Sequence, residues 1–85
     1  MAYTIEFSRS ADREFRKLPL QLQSRLRPRI ESLSLNPRPT DAKKLAGKEN
    51  AWRIRVGDYR VVYEVHDRIL YVLLVRVAHR RDVYR

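Results

Sequence analysis

The 85-residue chain has no cysteine, one methionine, one tryptophan and two glycines. Without cysteine there are neither disulfides nor thiolate metal sites, and a reducing cytoplasm is the simplest home. No apolar run approaches the roughly 20 residues that a membrane span needs. The opening Met1-Ala2-Tyr3-Thr4-Ile5-Glu6-Phe7 lacks the basic start and long apolar stretch of a secretory signal. Repeats and low-complexity segments are absent. Negative charge is scarce: 10 Asp and Glu stand against 19 Lys and Arg, a formal net charge of +9. That imbalance on so small a chain implies an anionic partner, either nucleic acid or an acidic protein segment. The length allows one domain, residues 1–85, which buries only about 60–65% of its unfolded surface. Its stability margin is therefore thin, and a partner covering apolar surface would matter.

What is present centres on Ala51–Tyr63. Trp52, Ile54 and Val56 alternate with Arg53 and Arg55; beyond Gly57-Asp58, Tyr59, Val61 and Tyr63 alternate with Arg60 and Val62. Period-two alternation predicts two strands with one buried face. A two-residue loop with glycine first suits a type II′ turn. Such a loop pairs Val56 with Tyr59, Arg55 with Arg60, Ile54 with Val61 and Arg53 with Val62. Directly paired residues share a face, so Arg53, Arg55 and Arg60 crowd one side. Three guanidinium groups there repel one another unless an anion lies across them.

Around this hairpin, Tyr3–Phe7 reads as a first strand. Ser8 or Ser10 caps a short helix with Ala11, Phe15 and Leu18 on one stripe. A second helix is expected over Leu20–Ser34, its stripe formed by Leu22, Leu26, Ile30 and Leu33. Pro28 predicts a kink or a split, and Asn36-Pro37-Arg38-Pro39 ends the element. Thr40–Asn50 reads as loop, with Leu45 tucked into the core. The strand after Gly57 runs to His66, and Asp67-Arg68 turns the chain into the nearly continuous apolar run Ile69–Ala78. Such a run predicts a strand covered on both faces. The expected class is α+β, a β-α-α-β-β-β order with a mostly antiparallel sheet and a helical hairpin on one face. A two-residue Asp67-Arg68 loop would set Val75 opposite Arg60 and place His79 on the arginine face; a three-residue loop would reverse this.

In order and spacing, these segments resemble the RelE/ParE toxin superfamily. The likeness rests on Tyr3-Thr4-Ile5-Glu6-Phe7, Arg16-Lys17-Leu18-Pro19, Asn36-Pro37, Lys44-Leu45-Ala46-Gly47, Trp52–Tyr63 and Val77-Ala78-His79-Arg80-Arg81-Asp82-Val83-Tyr84. The resemblance implies a microbial-ribonuclease-like fold and a toxin of a type II toxin–antitoxin system. It implies a cognate antitoxin that offers an acidic, amphipathic segment to the toxin, and a toxin–antitoxin complex that binds operator DNA through the antitoxin. In the RelE branch it implies metal-independent, cofactor-free cleavage of mRNA in the ribosomal A site, beside 16S rRNA. In the ParE branch it implies inhibition of DNA gyrase without that chemistry. A third reading is a non-catalytic RNA-binding relative.

Cleavage by attack of a 2′-hydroxyl asks for a base, an acid and cations around the phosphorane. By resemblance Arg60 holds the place of the transition-state arginine, Arg80 that of a second phosphate contact, and Tyr84 that of the C-terminal tyrosine. Arg53 and Arg55 stand where the best-known pattern has lysines, and arginine is a poor base. His79 is the expected proton carrier, with an ordinary pKa near 6.5. Glu64 is a possible base or a neutraliser of Arg53. Arg53, Arg55, Arg81 and Lys44 are assigned to phosphate binding.

Overall fold

The computed structural model describes residues 2–83. In chain order the elements are β1 (Thr4–Phe7), α1 (Arg9–Arg16), α2 (Leu20–Ser32), β2 (Lys43–Lys44), β3 (Ala51–Val56), β4 (Tyr59–His66), β5 (Tyr71–His79) and α3 (Arg80–Val83). The five strands form one sheet in the order β1-β5-β4-β3-β2. β1 runs parallel to β5, and the other neighbours are antiparallel. Among the described residues no helix is long and apolar enough to cross a membrane.

Local chemistry sets the helix ends. The Ser8 hydroxyl accepts the Ala11 N–H at 3.1 Å and so caps α1. Pro28 lies inside one continuous α2, which stops at Ser32, two residues short of expectation. Ala11, Phe15, Leu26, Ile30 and Leu33 turn inward onto Ile54, Val61, Tyr63, Val72 and Leu74, and these form the core. The helices thus cover one face of the sheet only.

The β3–β4 hairpin has the register that its alternation predicts, including Arg55 opposite Arg60 and Arg53 opposite Val62. Gly57 has φ +60°, and Leu70 is the only described non-glycine residue with positive φ. Asp58 therefore keeps a negative φ, which makes the loop type II′ rather than I′. The next connection differs from expectation. A 3-10 turn at Asp67–Ile69, followed by left-handed Leu70 (φ 51°), spans four residues. His66 pairs with Tyr71 and Tyr63 with Leu74, but Val62 pairs with Arg76. Val75 is thus an extra residue, a bulge that reverses which side chains share a face. Beyond it Ala78 lies opposite Arg60, and His79 lies opposite Tyr59 on the helix-covered side.

Four other expectations change. Residues 40–50 are not all loop: Lys43 and Lys44 pair with Arg53 and Trp52 as a short edge strand. Leu45 is only half-buried and lies beside Arg53, Val62 and Val75 on the uncovered face, not in the helix-side core. β5 is an interior strand, yet Leu73 and Val75 are half-buried because no layer packs over their side. Ile69 sits in the turn and is exposed.

β1 ends opposite Leu74, leaving the last part of β5 as an edge. Side chains complete it. The Ser8 hydroxyl donates to the Val75 carbonyl at 3.2 Å, and Glu14 accepts the Val77 N–H at 2.8 Å while pairing with Arg76 at 3.0 Å. At the other end, Arg38 pairs with Asp67 at 2.6 Å and lies over the Trp52 ring, and Tyr3 donates to the same carboxylate. The Tyr63 hydroxyl donates to the Pro37 carbonyl at 2.7 Å. Burial, then the charge of Asp41, pushes the Tyr63 phenol up to about 12. A raised tyrosine value stabilises the fold below the ordinary value of 10.0, and that contribution is lost as pH climbs through the folded value. Denaturation between about pH 10 and 12 should therefore show falling stability. Tyr63→Phe should remove that part of the slope and cost about 1–2 kcal/mol at neutral pH, because the Pro37 carbonyl loses its donor.

Candidate nucleic-acid phosphate site

Paired alternation places Arg53, Arg55 and Arg60 on the uncovered face of the sheet. Arg60 is the best defined. It is 8% exposed, and among the described residues it is the only charged one in the buried set. Opposite it stands Ala78, whose single methyl leaves more room beside Arg60 than a larger side chain would. Burial first, then the charges of Arg55, Arg53 and Arg80, pulls Arg60 below its ordinary basicity. Those three cations therefore lie close enough to act on it, though arginine keeps its proton at neutral pH.

Arg80 arrives from the far end of the chain. Its backbone N–H donates to the Asp58 carbonyl at 2.8 Å, tying the start of α3 to the Gly57-Asp58 turn. The result is a cavity of about 120 Å³ lined by Arg55, Gly57, Asp58, Tyr59, Arg60 and Arg80. None of the ion pairs formed among the described residues uses Arg53, Arg55 or Arg80. Planar guanidinium groups around a small opening can grip several phosphate oxygens at once. Among the described residues no three His, Asp or Glu side chains gather as metal ligands.

Other expected site residues fall elsewhere. His79 is not on the arginine face: the Val75 bulge turns it toward Tyr59, whose ring it meets edge-on at 5.4 Å. Its Nδ1 accepts the Arg81 N–H at 3.2 Å, so it supports the turn into α3. Lys44 pairs with Trp52 and lies on the helix-side face; Lys43, opposite Arg53, is the lysine on the arginine face. Arg81 is exposed and is not among the residues lining the cavity. Tyr84 lies outside the described residues. Glu64 shares the arginine face but pairs with His66 at 3.0 Å, not with Arg53. Sequence reading passed over Lys43 and Asp58, the one carboxylate among the cavity-lining residues. A strand pairing for Lys43-Lys44 would have found the first, and the Arg80 tie to the turn the second.

Residues 5–84 match the family described as "ParE toxin of type II toxin-antitoxin system, parDE". Toxin RelE3 of Methanocaldococcus jannaschii is 36% identical over 82 residues, which cover 92% of this chain and 91% of that protein. The mRNA interferase toxin RelE of Escherichia coli is 32% identical over 88 residues, 99% of this chain and 92% of that one. The toxin in the intact E. coli RelBE toxin–antitoxin complex superposes with TM-score 0.82 at 29% identity, over 92% of this chain and 96% of that chain.

If the arginines form an anion site, inorganic phosphate at constant ionic strength should raise the Tm. Each 1 kcal/mol of binding to the folded state corresponds to about 4–8 °C for a domain of this size. Arg80→Ala should blunt that rise, and an equal rise in both proteins would remove Arg80 from the site.

Proposed function

The chain belongs to the RelE/ParE family of type II toxin–antitoxin toxins, as a RelE-type member, and from that premise we propose that it is a cytoplasmic, ribosome-dependent endoribonuclease that cleaves mRNA in the A site. The observation that carries the reading is the convergence of Arg55, Arg60 and Arg80 on one cavity, with Arg53 close enough to act on Arg60. The name of the E. coli relative, mRNA interferase, supports it.

In this reaction the 2′-hydroxyl loses its proton, O2′ bonds to phosphorus, the P–O5′ bond breaks, and O5′ takes up a proton. The products are a 2′,3′-cyclic phosphate and a 5′-hydroxyl. Negative charge builds on the non-bridging oxygens in the transition state, and Arg60 with Arg55 and Arg80 holds those oxygens. Arg60 is held in place before substrate arrives by its burial, so little reorganisation is left for the moment of reaction. Arg53 and Lys43, on the same face, bind the neighbouring backbone. His79, on the far side of Tyr59, positions α3 rather than carrying the proton.

An antitoxin segment both acidic and amphipathic fits the uncovered face. Its carboxylates would neutralise the arginines, and its apolar side chains would enter the depression of about 360 Å³ beside Leu45, Val62 and Val75. The complexes formed by the structural relatives support this partner. The match to the ParE description favours a second reading, gyrase binding without RNA chemistry.

Primer extension on messages from cells expressing the chain without its antitoxin separates the two. Codon-phased new ends support cleavage, whereas intact messages with cleaved, gyrase-bound DNA support the second reading. In single-turnover assays on programmed ribosomes, Arg60→Ala should slow cleavage by about 10²–10³-fold. His79→Gln should cost less than about tenfold, since general acid–base work contributes 10²–10⁴. A larger loss would return the proton role to His79.

A further inference from the structure

α2 carries three arginines, and they are not equivalent. Arg27 lies over the Phe15 ring at 5.0 Å, and Arg29 pairs with Asp41 at 2.6 Å. Arg25 takes part in none of the ion pairs or side-chain hydrogen bonds formed among the described residues, and it is exposed. Its guanidinium instead reaches across to the β3–β4 turn. Nη2 stands 3.5 Å from the point where a Cβ on Gly57 would be, an ordinary contact distance. Gly57 is itself part of the arginine cavity wall. A further arginine therefore reaches the wall of the cavity from the helical layer, around the end of the hairpin.

This placement costs something in the isolated protein. A guanidinium with five donors and a rotamer-rich stem is laid against the turn with no carboxylate partner among the described residues. An anion at the rim offsets both penalties, and a strand whose one phosphate sits in the cavity carries its next phosphate a short step away.

We infer that Arg25 is a second phosphate-binding residue for the same RNA strand, gripping the backbone where it leaves the arginine cavity over the Gly57 turn. The inference rests on the reading that the cavity holds an RNA phosphate. In this arrangement Gly57 makes the tight turn through its positive φ and offers Arg25 a contact surface at the cavity wall. The contact is to backbone only, so it strengthens binding to all sequences alike.

The test measures binding of a short 2′-O-methylated oligoribonucleotide, which cannot be cleaved, to the free protein over a series of salt concentrations. Arg25→Ala should weaken binding roughly two- to fivefold and reduce the slope of log K against log salt by about 0.7, the value for one phosphate on a single strand. Arg25→Lys, which keeps the charge, should retain most of the slope. Arg68→Ala is the control for net charge, because Arg68 lies in the 3-10 turn at the opposite end of β4; it should leave the slope as in the wild type. If Arg60→Ala weakens binding while Arg25→Ala behaves like Arg68→Ala, the inference is overturned and the cavity reading stands. If Arg60→Ala also binds as the wild type does, the cavity reading itself fails. A loss shared equally by Arg25→Ala and Arg25→Lys would assign the effect to the shape of the turn and overturn the phosphate contact.

Discussion

Arg55 and Arg60 face each other across β3 and β4, and like charges in direct register destabilise a strand pair. Arg53 and Arg80 add to the same field, and burial first, then these neighbouring charges, lowers the basicity of Arg60. A small domain with a thin margin keeps that arrangement only at a cost to the free fold. The rest of the structure can be understood as holding these charges in place. The type II′ turn sets the register, Ala78 leaves space, and the Asp58 carbonyl draws Arg80 to the cavity mouth.

The two faces of the sheet divide the work. One is packed by α1 and α2 around Phe15, Leu26, Ile30 and Tyr63, and this layer supplies the stability. The other carries the arginines, flanked by half-buried Leu73 and Val75. A surface that combines repelling cations with uncovered apolar side chains is suited to partners bearing both negative charge and apolar groups. The proposed RNA strand and an antitoxin segment both meet that description, and on that reading one would exclude the other.

Much of this was legible in the sequence because the hairpin obeys simple rules. Strict alternation and a glycine-led two-residue loop determine the register of Arg53, Arg55 and Arg60 without reference to anything distant. The position of His79 was not legible. A bulge at Val75 sits inside an apolar run where neighbouring residues are chemically alike, so no local signal marks the extra residue, yet it turns every later side chain over. The same degeneracy hid the uncovered face of β5, since continuous apolar character fits one or two packed sides. Lys43 and Lys44 could not be told apart until β2 was seen to pair with β3. Arg25 depends on how α2 crosses the hairpin, a tertiary relation that no spacing encodes.

The most direct measurement is a crystal structure of the protein with a 2′-O-methylated oligoribonucleotide. A backbone phosphate bracketed by the guanidinium groups of Arg55, Arg60 and Arg80 is the predicted result. A strand bound along the outer face of α1, with the arginine cavity holding no phosphate, would contradict it.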